Sequence, residues 1–193
     1  MILVVNIGYD QIYKLTDLID IYIDVKTIPI FDLEEEHVIN DDVSGLIISN
    51  GSISVHDQST ELYLKKLSFL KEMNIPILGI GAGHHLLGLL FGSQTVYSPY
   101  VNDVVTVGIV EEDDTIFSKL PLEIEMSKEH AGSISIPPDF TLLASSDGSI
   151  NEAMKHKDLP LYGIQFLPER SGNFGAIIIE NFVEISERYS SNN

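Results

Sequence analysis

Residues able to do chemistry are concentrated in a few short stretches. Gly79, Gly81 and Gly83 alternate through "PILGIGAGHHLLGLLFG" (Pro76 to Gly92), after an apolar segment and ahead of a helical pattern. Glycines flanking a central residue permit a sharp strand-to-helix reversal and a close approach of substrate, the layout that presents a nucleophile. Here the central position is Gly81, which has no side chain to react. Such a turn also suits phosphate binding or plain tight packing, so the motif by itself leaves the chemistry open. The chain contains no cysteine, which removes thiol catalysis, thiolate metal sites and disulfides together.

The other polar candidates each have a plain reading. His84 and His85 are adjacent at a helix start, so they point in different directions and are expected at the surface, not on a metal. His130 follows "SKE" and is expected in a loop. Tyr97 and Tyr100 are expected to pack on an edge strand. No metal or cofactor is expected.

These residues need elements to hold them. "MILVVNI", "GLIIS" (Gly45 to Ser49) and "IPILGI" (Ile75 to Ile80) are short continuous apolar runs, as expected of strands buried on both faces. Between the last two, "STELYLKKLSFLKEM" carries Leu62, Leu64, Leu67 and Leu70 at helical spacing, with Ser59 or Thr60 as N-cap. "AGHHLLGLLFG" reads as a helix closed by Gly92. Strands alternating with helices predict a parallel sheet with right-handed crossovers. The second half is richer in strands: "VVTVGIVEEDD", "LEIEMSKEH", "FTLLASSD" and "LYGIQFLPE", broken by the turns "IPPDF" and "DLP". "GAIIIENFVEISERY" supplies a late helix, and "SERYSSNN" reads as a frayed tail.

The 193 residues suit one domain over 1–193 with a substantial core. An excess of 29 acidic over 11 basic residues gives a formal charge of −18. That surface repels phosphate backbones and anionic membranes, so no nucleic-acid or membrane partner is expected. No apolar run reaches membrane-span length and the start turns polar early, so a cytoplasmic location is the expectation.

Two segments carry a specific resemblance. "PILGIGAGHHLLGLLFG" resembles the nucleophile elbow of class I (triad-type) glutamine amidotransferases, G-I-C-x-G-x-Q, and "YGIQFLPE" (Tyr162 to Glu169) resembles their Q-F-H-P-E segment. "GLIISNG" (Gly45 to Gly51) takes the place of the strand and glycine pair that contribute to the oxyanion hole. "IFSKLPLEIEMSKEHAGSISIPPDFTLLASS" is similar in order and spacing to the amidotransferase subunit of GMP synthase. The similarity covers nearly the whole chain. It implies a flavodoxin-like fold: an open, mostly parallel twisted sheet with helices on both faces, plus a strand-rich insertion or edge.

The departures fall on the reaction. By the resemblance, Gly81 stands at the cysteine, Leu167 at the histidine, and Glu169 at the carboxylate that orients that histidine. His85 stands at the glutamine-binding position, and Asn50 replaces the first oxyanion-loop glycine while Gly51 remains. The amides of Ala82 and Gly51 would form the oxyanion hole, and His130 is a ligand-contact candidate by analogy. "EHAGS" lacks the acidic pair that follows the family's histidine. The implied function is an inactive amidotransferase-like protein that binds a protein partner or small ligand. The partner classes are glutamine or a related molecule, and a separate synthetase subunit of the ATP-pyrophosphatase type; homo-oligomerisation is left open. The alternative is a working amidotransferase subunit of GMP synthase or a related enzyme, or a hydrolase with Ser49, Ser52 or Ser127 as nucleophile. Glu169, without its histidine, is expected to pair with Arg170 or Lys128, to face solvent, or to be buried with a raised pKa.

Overall fold

The computed structural model describes residues 1–39, 42–52 and 60–192. The first half comprises β1 (Ile2–Asn6), α1 (Ile12–Asp20), β2 (Val25–Pro29), α2 (Glu35–Ile39), β3 (Gly45–Ile48), α3 (Thr60–Leu67), β4 (Ile77–Ile80) and α4 (Ala82–Leu90). The second comprises β5 (Thr95–Val96), β6 (Val101–Ile109), β7 (Glu123–His130), β8 (Ser133–Ile134), β9 (Phe140–Ser146), β10 (Ser149–His156), β11 (Leu161–Ile164) and α5 (Gly172–Asn192).

One nine-stranded sheet has the order β2-β1-β3-β4-β11-β10-β9-β6-β7, and β5 with β8 forms a separate two-stranded ribbon. From β2 to β11 the strands run parallel. Their order is the 2-1-3-4-5 of flavodoxin-like folds. From β11 onward the pairings are antiparallel, which is the strand-rich extension expected. β11 is the last strand in the chain, yet it lies between β4 and β10 and joins the two halves.

The apolar runs form strands because both faces are covered. Ile2 and Val4 of β1, with Ile47 and Leu78, face a core shared with Leu15 and Ile19 of α1 and Ile178, Ile179 and Phe182 of α5. Leu3 and Val5, with Leu46 and Ile48, face the opposite core with Leu67, Leu70, Leu86 and Leu87. Leu62 is instead exposed, and α3 gives way at Ser68 to a tighter turn that carries Leu70 inward. Thr60 begins that helix; Ser59, the other expected N-cap, lies outside the described residues. Gly92, at φ 95°, follows α4 as its left-handed stop. The residues expected to fray after Ser186 instead continue α5 as far as Asn192.

The antiparallel half curls back on itself. Although β7 is the sheet's last strand, the Leu167 N–H, just past β11, donates to the Ser127 carbonyl of β7 at 2.8 Å. Lys128 of β7 forms a buried ion pair with Glu152 of β10. This near-closure returns the end of β7 to the carboxyl ends of the parallel strands.

Candidate functional site

Tyr9 after β1, Asn50 and Gly51 after β3, Ala82 and His85 at the start of α4, and His130 at the end of β7 line a cleft of about 340 Å³. It lies beyond the carboxyl ends of β1 and β3, where the strand order reverses and α/β sheets place their ligands.

The glycine turn has the backbone of a nucleophile elbow. Gly81 has φ 57° and ψ −114°, a conformation that costs a residue bearing a Cβ about 1–3 kcal/mol. Its N–H donates to Ile164 O of β11 at 2.9 Å, which fixes the turn to the neighbouring strand. Gly83 lets α4 lie directly on the end of β3, since a Cβ there would come within 2.8 Å of Ser49 O.

The space above Gly81 is occupied. A Cβ at position 81 would come within 2.8 Å of Asn50 Cγ and closer still to Oδ1. That same Oδ1 accepts a 3.0 Å hydrogen bond from the Ala82 N–H. Asn50 is only 6% exposed, so its carboxamide is an enclosed part of the turn. The missing Cβ at 81 and the present side chain at 50 therefore fit one another.

Leu167 is fully buried and belongs to the α1/α5-side core with Phe166, Ile179 and Phe182; it does not line the cleft. Glu169 accepts a 2.6 Å hydrogen bond from the Tyr9 hydroxyl through Oε1. Its Oε2 is closed off from solvent without a partner among the described residues, although the residue as a whole keeps some surface. Burial raises the Glu169 pKa, against a smaller lowering by the Tyr9 hydrogen bond. The Tyr9 hydroxyl is itself pushed far up, by burial first and the Glu169 charge second. Neither expected ion pair of Glu169 forms: the residue is half-buried, its carboxylate rests on the Tyr9 hydroxyl and burial raises its pKa. Lys128 pairs instead with Glu152, and Arg170 with Glu129.

The histidines correct the sequence reading. His84 and His85 are not at the surface: they are 0% and 3% exposed. The reason is that α4 packs between the sheet and the β5–β8 ribbon, so both of its sides are covered. His130 ends β7 and is buried, not in a loop. Burial, then repulsion by His130 and Lys128, lowers His85 to about 3; burial, then Lys128, lowers His130 to about 4. His84 is also held well below the ordinary value by burial. All three rings are therefore neutral at pH 7.

Neutral rings have one donor and one acceptor nitrogen. His130 Nδ1 lies 2.9 Å from Gly132 O and 3.0 Å from Gln165 Nε2, and its Nε2 lies 2.7 Å from the same amide nitrogen. Both ring nitrogens are engaged: the Gly132 carbonyl accepts from an Nδ1–H tautomer, and the Gln165 amide N–H donates to whichever ring nitrogen is bare. His85 Nε2, in contrast, is closed off from solvent without a partner among the described residues, although the residue lines the cleft. The backbone of Gly163 and Asn151 lies beside His84 and raises its pKa slightly, short of hydrogen-bond geometry.

The serine candidates separate. Ser49 is fully buried, and its hydroxyl donates to Asn50 O at 2.7 Å and accepts from the Ile7 N–H. Ser127 is buried on β7, outside the cleft. Ser52 does line the cleft and is exposed. Tyr97 and Tyr100 are exposed, not packed on an edge; Tyr100 lines the cleft and its hydroxyl reaches Glu129 at 3.3 Å. Among the described residues, no group of three or more His, Cys, Asp or Glu side chains is placed to hold a metal ion, and no helix is long and apolar enough to cross a membrane.

The family model for glutamine amidotransferase class-I matches residues 9–185. The chain belongs to that family. A glutamine-hydrolyzing GMP synthase subunit of Pyrococcus furiosus is 38% identical over 144 residues, covering 73% of this chain and 74% of the relative. The protein of the same name from Methanocaldococcus jannaschii is 29% identical over 188 residues, covering 96% and 97%. The crystal structure of a Thermoplasma acidophilum protein assigned to the same GMP synthase subunit superposes with a TM-score of 0.89 at 28% identity, over 99% of this chain and 96% of that one. The amidotransferase fold is thus shared over essentially the full length. What the motifs alone did not disclose was Tyr9, which no spacing rule links to Glu169, and the contact of Gln165, within "YGIQFLPE", with the His130 ring.

Proposed function

We propose that the chain is a catalytically inactive class I glutamine amidotransferase-like protein that acts by binding. Its partner would be a separate synthetase subunit, or a small ligand such as glutamine in the cleft. The observation that carries this reading is the Asn50 carboxamide: it fills the space a side chain at 81 would need and hydrogen-bonds the Ala82 amide. Amide hydrolysis of this type needs a thiolate to attack the carboxamide and a base to move the proton. Position 81 offers no atom, position 167 has an alkyl group turned into the core, and the Ala82 donor already has an acceptor. Losses of this kind in other hydrolases lower turnover on the order of a million-fold.

The experiment is a glutaminase assay on the purified chain, alone and mixed with the synthetase subunit of the same organism. Ammonia release should match the buffer blank in both. Release that rises with protein concentration and survives repurification would defeat the proposal.

A second reading has its own support. The relatives carry the name of a glutamine-hydrolysing subunit, the Methanocaldococcus jannaschii protein over 96% of this chain and 97% of its own, and the cleft lies open beside the elbow. On this reading the chain supplies ammonia to a GMP synthase-type partner, with a hydroxyl as nucleophile. Ser52 lines the cleft, so any activity should disappear in Ser52→Ala.

A further inference from the structure

The nine-stranded sheet ends on β7, and only part of that edge is covered. The Ile109 N–H donates to Leu122 O, and the register runs on from there. Even-numbered residues of β7 therefore turn their backbone groups toward β6, and odd-numbered ones turn them outward. Both outward groups of Ser127 are taken: its carbonyl accepts from the Leu167 N–H at 2.8 Å, and its N–H donates to Ser171 Oγ at 2.9 Å. Further back along the strand, the outward N–H and C=O groups of Glu123 and Glu125 have no partner among the described residues. Such a row is a template for another strand.

A groove of about 410 Å³ opens where the covered and uncovered parts of this edge meet. Val104, Glu125, Ser127, Ser171, Asn173 and Phe174 line it. Val104 is the cross-strand partner of Ser127, Thr106 of Glu125 and Gly108 of Glu123, so these side chains share one face of the sheet. That face is open to solvent: Val104 is 57% exposed in mid-strand, and Thr106, Glu123 and Glu125 are exposed beside it.

Charge decides what fits there. The cations in and around β7 are engaged elsewhere: Lys119 with Glu180 and Glu184, Lys128 with Glu152, and Arg170 with Glu129. Glu123 and Glu125 join no ion pair among the described residues. A second copy of the chain is a poor occupant. Antiparallel pairing of two β7 edges sets glutamates of one copy opposite glutamates of the other, and like charges directly opposite are destabilising. The net charge of −18 on each copy adds to that repulsion. A long cationic side chain suits the groove instead: its stem lies on Val104 and Phe174, and its head reaches the Glu125 carboxylate.

We propose that the open edge of β7 is a docking strand for an extended, cationic segment of a partner protein. The segment adds to the sheet beyond β7 and exchanges main-chain hydrogen bonds with Glu123 and Glu125. Its alternate arginines or lysines meet the two carboxylates, one of them seated in the groove. The surface shares no residue with the cleft, so the assignment is independent of whether the chain hydrolyses glutamine.

The test is titration of the intact, isotopically labelled chain with an end-blocked Val-Arg-Val-Arg-Val peptide, followed by calorimetry and amide NMR. The peptide should bind, slow hydrogen exchange at the Glu123 and Glu125 amides, and leave Gly51, Ala82 and His85 unmoved. Glu125→Gln should weaken binding about tenfold, the loss of one charge-assisted hydrogen bond. Glu125→Pro removes an outward N–H and spares the ladder to β6, and should abolish binding. Glutamate in place of each arginine of the peptide, or N-methylation of its edge-facing amides, should abolish it too. The proposal is overturned if the peptide does not bind at millimolar concentration, or if the signals that move are those of the cleft. It is equally overturned if the N-methylated peptide binds as well as the parent peptide, which would mean adhesion by charge alone, or if Glu125→Gln binds as the parent chain does. Self-association of the chain in sedimentation that Glu125→Pro abolishes would also overturn it, by making a second copy the occupant.

Discussion

Gly81 and Asn50 form one unit. In Gly81→Ala the added Cβ meets Asn50 and the φ of 57° becomes strained, so stability should fall by about 1–3 kcal/mol. Repeating the substitution in an Asn50→Gly background should recover the steric part and leave the backbone part. Denaturant titration of the four proteins measures the coupling directly; strict additivity would show that the two residues do not interact. Leu167 poses the complementary case. Leu167→His places an imidazole in a core with Phe166 and Phe182, and should destabilise by about 2–4 kcal/mol through lost apolar burial and an unpaired polar group. A stability equal to the parent chain would mean that position 167 still accommodates its family's histidine. The identities of these residues were visible in the sequence. The fit between them was not, because the path of a side chain across a turn is decided by backbone that a motif does not describe.

Among the elements, β7 and β10 are tied by the Lys128–Glu152 pair, which is buried to 3% and 0% side-chain exposure. Ser146 also donates to Glu152. Removing one partner leaves a charge in a dry site, so Lys128→Met or Glu152→Gln should each cost about 3–5 kcal/mol. The double variant Lys128→Met with Glu152→Leu should regain much of that, read by thermal melting. A double variant no better than either single one would indicate that the pair organises the curl of the antiparallel strands. The strands of the parallel half were legible because "MILVVNI" and "GLIIS" are apolar throughout, as burial on two faces demands. β10 was not: Asn151, Glu152 and Lys155 interrupt its pattern, since Glu152 is paired with Lys128 of β7 and Lys155 with Asp114 from elsewhere in the chain. β2 escaped for another reason, as an edge strand with Lys26 and Thr27 exposed. The buried positions of His84 and His85 were missed similarly, because α4 is covered on two sides where an amphipathic reading assumes one.

At the scale of the molecule, the buried neutral histidines make stability depend on acid. Their folded pKa values lie below the ordinary 6.5, at about 3 for His85 and about 4 for His130. The unfolded chain therefore binds more protons between those values, and the stabilisation present above pH 6.5 is lost as pH falls toward 4 and then 3. Glu169 acts in the opposite sense, since a raised carboxyl pKa favours folding at low pH and loses that contribution as pH rises. Denaturant midpoints measured from pH 7 to pH 4 should fall for the parent chain and fall less steeply for His85→Gln. Identical slopes would show that His85 titrates normally in the folded protein.

The position of β11 has a consequence for how the molecule is made. During synthesis, β4 and β10 both emerge before the strand that must lie between them, and each presents an unsatisfied row of backbone donors and acceptors until residues 161–164 arrive. A ribosome-bound nascent chain halted before Leu161 would thus expose two adhesive margins at once. Such a fragment should bind holdase chaperones and precipitate when released, whereas a few residues more would let the sheet zip shut. The latest strand to be made is the one on which the sheet's continuity depends.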